Sequence, residues 1–145
     1  MYGITDLYEY CKLLIADSDL WRCRTGDPNT EEGAALLKAF SPSTYVKDIK
    51  APLLLTTGTL NDRVPQEQND TFAKALFDAK KEVVYFFYPE EGHDFRSPES
   101  WVSFWAIAED FLHKNLAGKK QPGEGDIEKG NLTVMFGAAY VEGIE

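Results

Sequence analysis

The sequence predicts an α/β protein in which a parallel sheet is flanked by helices, and three observations carry that expectation. The run "PLLLTTG" at 52–58 is continuous, apolar, of strand length and closed by glycine, as in a strand buried on both faces. In "QEQNDTFAKALFDAKK", which follows, Phe72, Ala75, Leu76 and Ala79 make one apolar stripe at helical spacing. The run "EVVYFFYP" at 82–89 is a second strand, rich in Val, Tyr and Phe. Strand, helix and strand in that order form a parallel crossover unit.

The flanking elements follow from periodicity and punctuation. Leu7, Tyr10, Leu13 and Leu14 keep helical spacing over 6–20, and Asp6 with Glu9 three positions on supplies a cap. Gly26 and Pro28 break the chain, and Asn29 or Thr30 caps a short helix over 34–40. "SPSTYVKDIKAP" reads as a loop, because Pro42 and Pro52 disfavour helix at the residues before them. The strongest helix is "SPESWVSFWAIAEDFLHKNLAG", with Ser97 as cap, Pro98 at the first helical position and Gly118 at the end. Its broad face of Trp101, Phe104, Trp105, Ala108, Phe111 and Leu112 is expected to pack on the sheet. His113 sits near the end of that helix, solvated or stabilised by the helix dipole. Residues 119–130, rich in Gly, Pro and charge, read as a flexible linker, and 131–145 as a tail able to form a short strand.

Composition narrows the function. A chain of 145 residues is one domain, and 43% hydrophobic with 27% charged residues is globular. A net charge of −9 offers no concentrated basic face, which excludes a nucleic-acid partner. No apolar run reaches the ~18 residues of a membrane span, and no charged-then-apolar leader opens the sequence. The expected location is cytoplasmic. Cys11 and Cys23 belong to no Cys-x-x-Cys pattern and read as buried or half-buried thiols, while His93 and His113 are spaced too poorly for a metal site. Neither a metal nor a cofactor is expected.

The two strands each end in a polar loop, "GTLNDRVP" and "EEGHDF". At the carboxyl ends of adjacent parallel strands such loops lie side by side. An acid from the first loop would there meet the imidazole of His93, fix its tautomer and leave Nε2 to act as a base. Acid then histidine, late in the chain, is the second half of the Ser, Asp, His order of α/β-hydrolases.

The stretch from "SPSTYVKDIKAP" through "GTLNDRVP" and "PEEGHDF" to the aromatic helix resembles, motif by motif and in order, the C-terminal part of the catalytic domain of the prolyl oligopeptidase family of serine peptidases. It resembles the dipeptidyl and acylaminoacyl peptidases in particular, and "YGITDL" is similar to the segment that follows the nucleophile region. The resemblance spans roughly 1–118. It implies the C-terminal portion of an α/β-hydrolase fold and a hydrolase cleaving short peptides. It also implies His93 as catalytic base, an Asp of the "NDRVP" loop as its partner and Arg63 at a substrate carbonyl. From the residues alone, Arg63 reads equally as a salt-bridge partner of Asp62 or Asp94.

Two departures qualify that inference. No G-x-S-x-G occurs among the 145 residues, so the nucleophile elbow and the strands before it are missing, and Met1 is expected to open a fragment. In the family the acid stands two residues before the arginine, and that position is Asn61, with Asp62 adjacent. Asp62 is the expected acid, reached by a one-residue slip of the loop, and Asn61 is the alternative occupant. The expected function is therefore the acid and base of a serine peptidase whose serine lies upstream. A catalytically degenerate α/β-hydrolase or interaction module, and an esterase on the same fold, are the alternatives. The 145 residues alone are expected to be inactive and, with an uncovered sheet edge, to self-associate.

Overall fold

A computed structural model describes residues 3–15, 18–122 and 125–140. Residues 16 and 17 of the expected first helix, 123 and 124 of the linker and 141–145 of the tail lie outside the described residues.

At the centre is a three-stranded sheet in the order β1 (Leu53–Gly58), β2 (Val83–Tyr88), β3 (Thr133–Phe136). β1 and β2 pair in parallel from Leu53 opposite Val83 to Gly58 opposite Tyr88, joined through α4 (Gln66–Asp78). β3 adds antiparallel to the far edge of β2, so the sheet is mixed. The β2 side chains alternate, as a pleated strand requires. Val83 and Tyr85 face Phe72, Ala73 and Leu76 of α4, whereas Val84, Phe86 and Tyr88 face Ile107 and Phe111 of α5 (Pro98–Leu116). The result is two helical layers around one sheet. β2 is its buried centre, while Leu53, Leu54 and Leu55 of β1 are only half-buried. β1 is covered on both faces as expected, with Leu54 on the α5 side, Leu53 and Leu55 on the α4 side and Thr56 to Gly58 buried; its place at the end of the strand order leaves the three leucines half-exposed along the edge.

The first expected helix is divided. α1 (Leu7–Tyr10) is capped by Asp6, whose side chain accepts from the Glu9 amide, and it passes into a π-helical turn (Cys11–Ile15) before α2 (Asp19–Thr25) restarts after an extended Ser18. α3 (Glu31–Ala39) is capped by Thr30 through the Gly33 amide. The stretch read as a loop contains a 3-10 helix (Pro42–Asp48), in which Pro42 takes the first position, where no amide is needed. Ser41 ties this region together, donating to Leu37 O and accepting from the Leu7 amide. Cys11 is buried, but Cys23 is exposed on α2.

Of the face expected for α5, Trp101, Phe104, Ala108 and Phe111 lie in or against the core. The side that packs on the sheet carries Ser100, Ser103, Ile107, Ala108 and Phe111, whereas Trp105 and Leu112 are exposed. Ser103 explains part of this, since its hydroxyl pairs with Tyr88 Oη at 3.1 Å inside the core and Gly130 packs directly on it. The left-handed residue that ends α5 is Ala117 and not Gly118, whose carbonyl bonds His113 Nδ1. Beyond it, Lys120 reaches the buried carboxyl of Asp110 at 2.6 Å and the Gln121 amide donates to Glu109. Ile127 and Leu132 then pack on the α5 side of the core. Among the described residues no helix is long and apolar enough to cross a membrane.

Burial pushes the Tyr88 phenol up to about 12, and burial together with a hydrogen bond to Asp70 pushes Tyr85 up further. A phenol whose proton is held more tightly in the folded state stabilises fully below its unfolded value of about 10, and that stability is lost as pH rises through the folded value. Phenolate absorbance is therefore expected to rise in two phases. The phase belonging to Tyr85 and Tyr88 comes only with cooperative unfolding, above about pH 10. A single phase with circular dichroism unchanged to pH 12 would contradict this assignment.

Candidate active site

Two loops meet at the carboxyl edge of β1 and β2. Gly58 ends β1 with no room for a side chain, because a Cβ there would lie 2.1 Å from Glu91 O. The strands' hydrogen bonding continues past their ends, through the Thr59 amide to Tyr88 O at 3.1 Å and the Leu60 amide to Glu91 O at 2.9 Å. Thr59 Oγ1 also donates to Pro89 O. The loop after β1 is thereby fastened to the loop after β2.

This fastening brings His93 to Asn61. Asn61 is buried, and its Oδ1 accepts from the amides of Arg63 at 3.1 Å and Val64 at 3.0 Å, an Asx turn that shapes the loop. The half-buried ring of His93 places Nδ1 3.1 Å from the same Oδ1. Asp62 and Arg63, the other two residues singled out in the sequence, are exposed in this loop. The occupant that faces the imidazole is thus the alternative one, because the Asx turn commits the residue-61 side chain inward.

That turn also settles the proton. Two backbone N–H groups point at the residue-61 side-chain atom, so it must be the carbonyl oxygen, and the imidazole nitrogen facing it must be the donor. In the neutral ring, Nε2 then holds the lone pair. Asn61 Nδ2 has no hydrogen-bond partner among the described residues, a cost of roughly 1–3 kcal/mol for a buried donor. Asn61 therefore presents an uncharged oxygen to the imidazole.

Residues 2–119 match the prolyl oligopeptidase family. The chain belongs to that family. It is 37% identical over 121 residues to dipeptidyl aminopeptidase BIII of Pseudoxanthomonas mexicana, covering 83% of this chain and 18% of the relative. It is 33% identical over 104 residues to dipeptidyl peptidase family member 6 of Caenorhabditis elegans, covering 72% of this chain and 14% of the relative. The prolyl oligopeptidase-family chain thus spans less than a fifth of either. Among solved structures, the acylaminoacyl peptidase of Pyrococcus horikoshii superposes with a TM-score of 0.66 at 22% identity, covering 87% of this chain and 21% of the other. A Mycobacterium tuberculosis puromycin-hydrolysing peptidase gives 0.65 at 26%, covering 79% and 18%. The fold is accordingly the C-terminal portion of an α/β-hydrolase, in a family of peptidases.

Sequence reasoning missed Glu91, a buried carboxyl that accepts from the amides of Arg96 at 2.6 Å and Ser97 at 3.0 Å. An acid six residues before a Ser-Pro helix start was the available signal. Gly58→Ala is expected to cost about 1–3 kcal/mol by overpacking, seen as a lower urea midpoint, and to weaken the His93 to Asn61 contact in imidazole 15N spectra. A neutral Gly58→Ala would show that the loops tolerate separation.

Proposed function

We propose that this chain contributes the base half of a serine-type peptidase site. In it His93 takes a proton at Nε2, Asn61 orients the ring, and Arg63 binds a substrate carbonyl, while the nucleophilic serine lies in residues that precede these 145. The observation that carries the reading is the 3.1 Å contact between His93 Nδ1 and Asn61 Oδ1 at the edge shared by two parallel strands. The substrate class is short peptides, as the names of the dipeptidyl and acylamino-acid-releasing relatives suggest. The exposed Arg63 has the planar, bidentate geometry suited to a carbonyl or carboxylate of such a peptide.

The chemistry follows from the orienting group. In the chymotrypsin-type example, replacing the acid by an amide costs about 10⁴ in turnover through the wrong tautomer. Here the Asx turn fixes the right tautomer, so the remaining loss is that of a charge opposite the imidazolium. An opposite charge at this distance is worth roughly one to three orders of magnitude.

A full-length protein carrying this segment is expected to be labelled at a serine by a fluorophosphonate probe, and His93→Ala is expected to abolish both labelling and dipeptide-amide hydrolysis. Clean labelling without His93 would sink the proposal. In the same protein Asn61→Asp is expected to raise kcat by about tenfold to a thousandfold with little change in KM. The 145-residue chain alone is expected to show no turnover.

A second reading, a catalytically degenerate α/β-hydrolase acting as an interaction module, is favoured by the uncharged Asn61 at the acid position. It predicts no gain of activity on Asn61→Asp and a biological role that survives His93→Ala.

A further inference from the structure

Glu91 is a carboxylate residue only 4% exposed. A carboxyl taken out of water is costly unless its oxygens are hydrogen-bonded. Both of its oxygens are. Oε2 accepts from the Arg96 amide at 2.6 Å and Oε1 from the Ser97 amide at 3.0 Å, where α5 begins and where the helix dipole favours a negative group. The same residue's backbone carbonyl accepts from the Leu60 amide at 2.9 Å and leaves no space for a side chain on Gly58. Glu91 therefore holds the Asn61 loop with its main chain and the start of α5 with its side chain. His93 lies on the short segment between those two attachments.

We propose that Glu91 is the positioning residue of the His93 loop, its carboxyl drawing residues 91–97 into the closed turn that brings Nδ1 of His93 to Oδ1 of Asn61. This rests on the reading of His93 as the base, but it concerns geometry and is tested without turnover. Neither an apolar residue nor a single-acceptor side chain replaces it, because the two adjacent amides bond two separate oxygens, Oε2 and Oε1. Phe95, packed against Tyr88 with ring centroids 4.8 Å apart and bonded through its carbonyl to Trp101 Nε1, anchors the segment after His93 but reaches neither amide.

The test uses the 145-residue chain labelled with 15N, in which only two histidines are present and a His93→Ala spectrum assigns the ring. The parent is expected to show His93 as the Nδ1–H tautomer, with a ring signal that moves on Asn61→Ala. Glu91→Ala is expected to abolish the Nδ1–H preference and to leave Asn61→Ala without effect on the ring. Glu91→Gln, which keeps one acceptor and the volume, is expected to fall between. Ile107→Val serves as a control for destabilisation alone and is expected to leave the ring signals in place. A folded Glu91→Ala chain with the parent's His93 signals would overturn the proposal, and if that variant does not fold, unchanged signals in Glu91→Gln would do so. Failure of peptidase activity in a full-length protein would overturn the functional reading and leave this result untouched.

Discussion

The parallel register of β1 against β2 is the constraint on which the remainder depends. It aligns Gly58 with Tyr88, so that both strands release their chains at the same edge and the two loops start side by side. Glycine at 58 then lets the second loop's backbone come close enough for the Leu60 amide to reach Glu91 O. A larger residue there would hold the loops apart, and the imidazole would lose its partner. The register is itself secured by the apolar side chains on the two faces of β2, which α4 and α5 cover from opposite sides.

On this platform the polar groups are arranged with one deliberate imbalance. Asn61 Oδ1 gathers the Arg63 and Val64 amides and His93 Nδ1, and Glu91 satisfies the Arg96 and Ser97 amides just before α5. Asn61 Nδ2 is left buried without a partner among the described residues. Local rules are broken most often where a site has a task, and this unpaired donor lies at the atom where a carboxylate would carry its second oxygen. An Asp there would remove a buried donor and add a charge facing the ring; the present residue keeps the orientation and omits the charge.

The chain beyond the family match is part of the same core. After α5, Lys120 pairs with the buried Asp110, and Ile127, Leu132 and Val134 pack on the α5 side of the sheet. Phe136 packs on the α4 side and stacks on Phe77 with centroids 4.9 Å apart. Residues two apart on a regular strand share a face; Val134 and Phe136 do not, because the pairing with β2 shifts between Tyr85 and Phe86. That irregularity lets four residues of β3 close the β2 edge while serving both layers. An edge so covered is not available to a passing strand.

The sequence by itself determined the elements whose signals are local. The apolar run of β1, the stripe of α4, the aromatic and β-branched β2, the Ser97-Pro98 start of α5 and the loops holding Asn61 and His93 all follow from periodicity and turn chemistry over a few residues. Motif order added the family. Tertiary structure decided what depends on residues far apart in the chain: which side of α5 is buried, set by the Ser103 to Tyr88 pair; the packing of the segment read as a linker; and the half-exposure of the β1 leucines, set by its place at the sheet's end. It also decided which of Asn61 and Asp62 turns towards His93. Neighbouring polar residues look alike in a sequence, and only the Asx turn, with its two backbone donors and an imidazole from a loop 32 residues away, distinguishes the side chain that turns inward from the one that meets water.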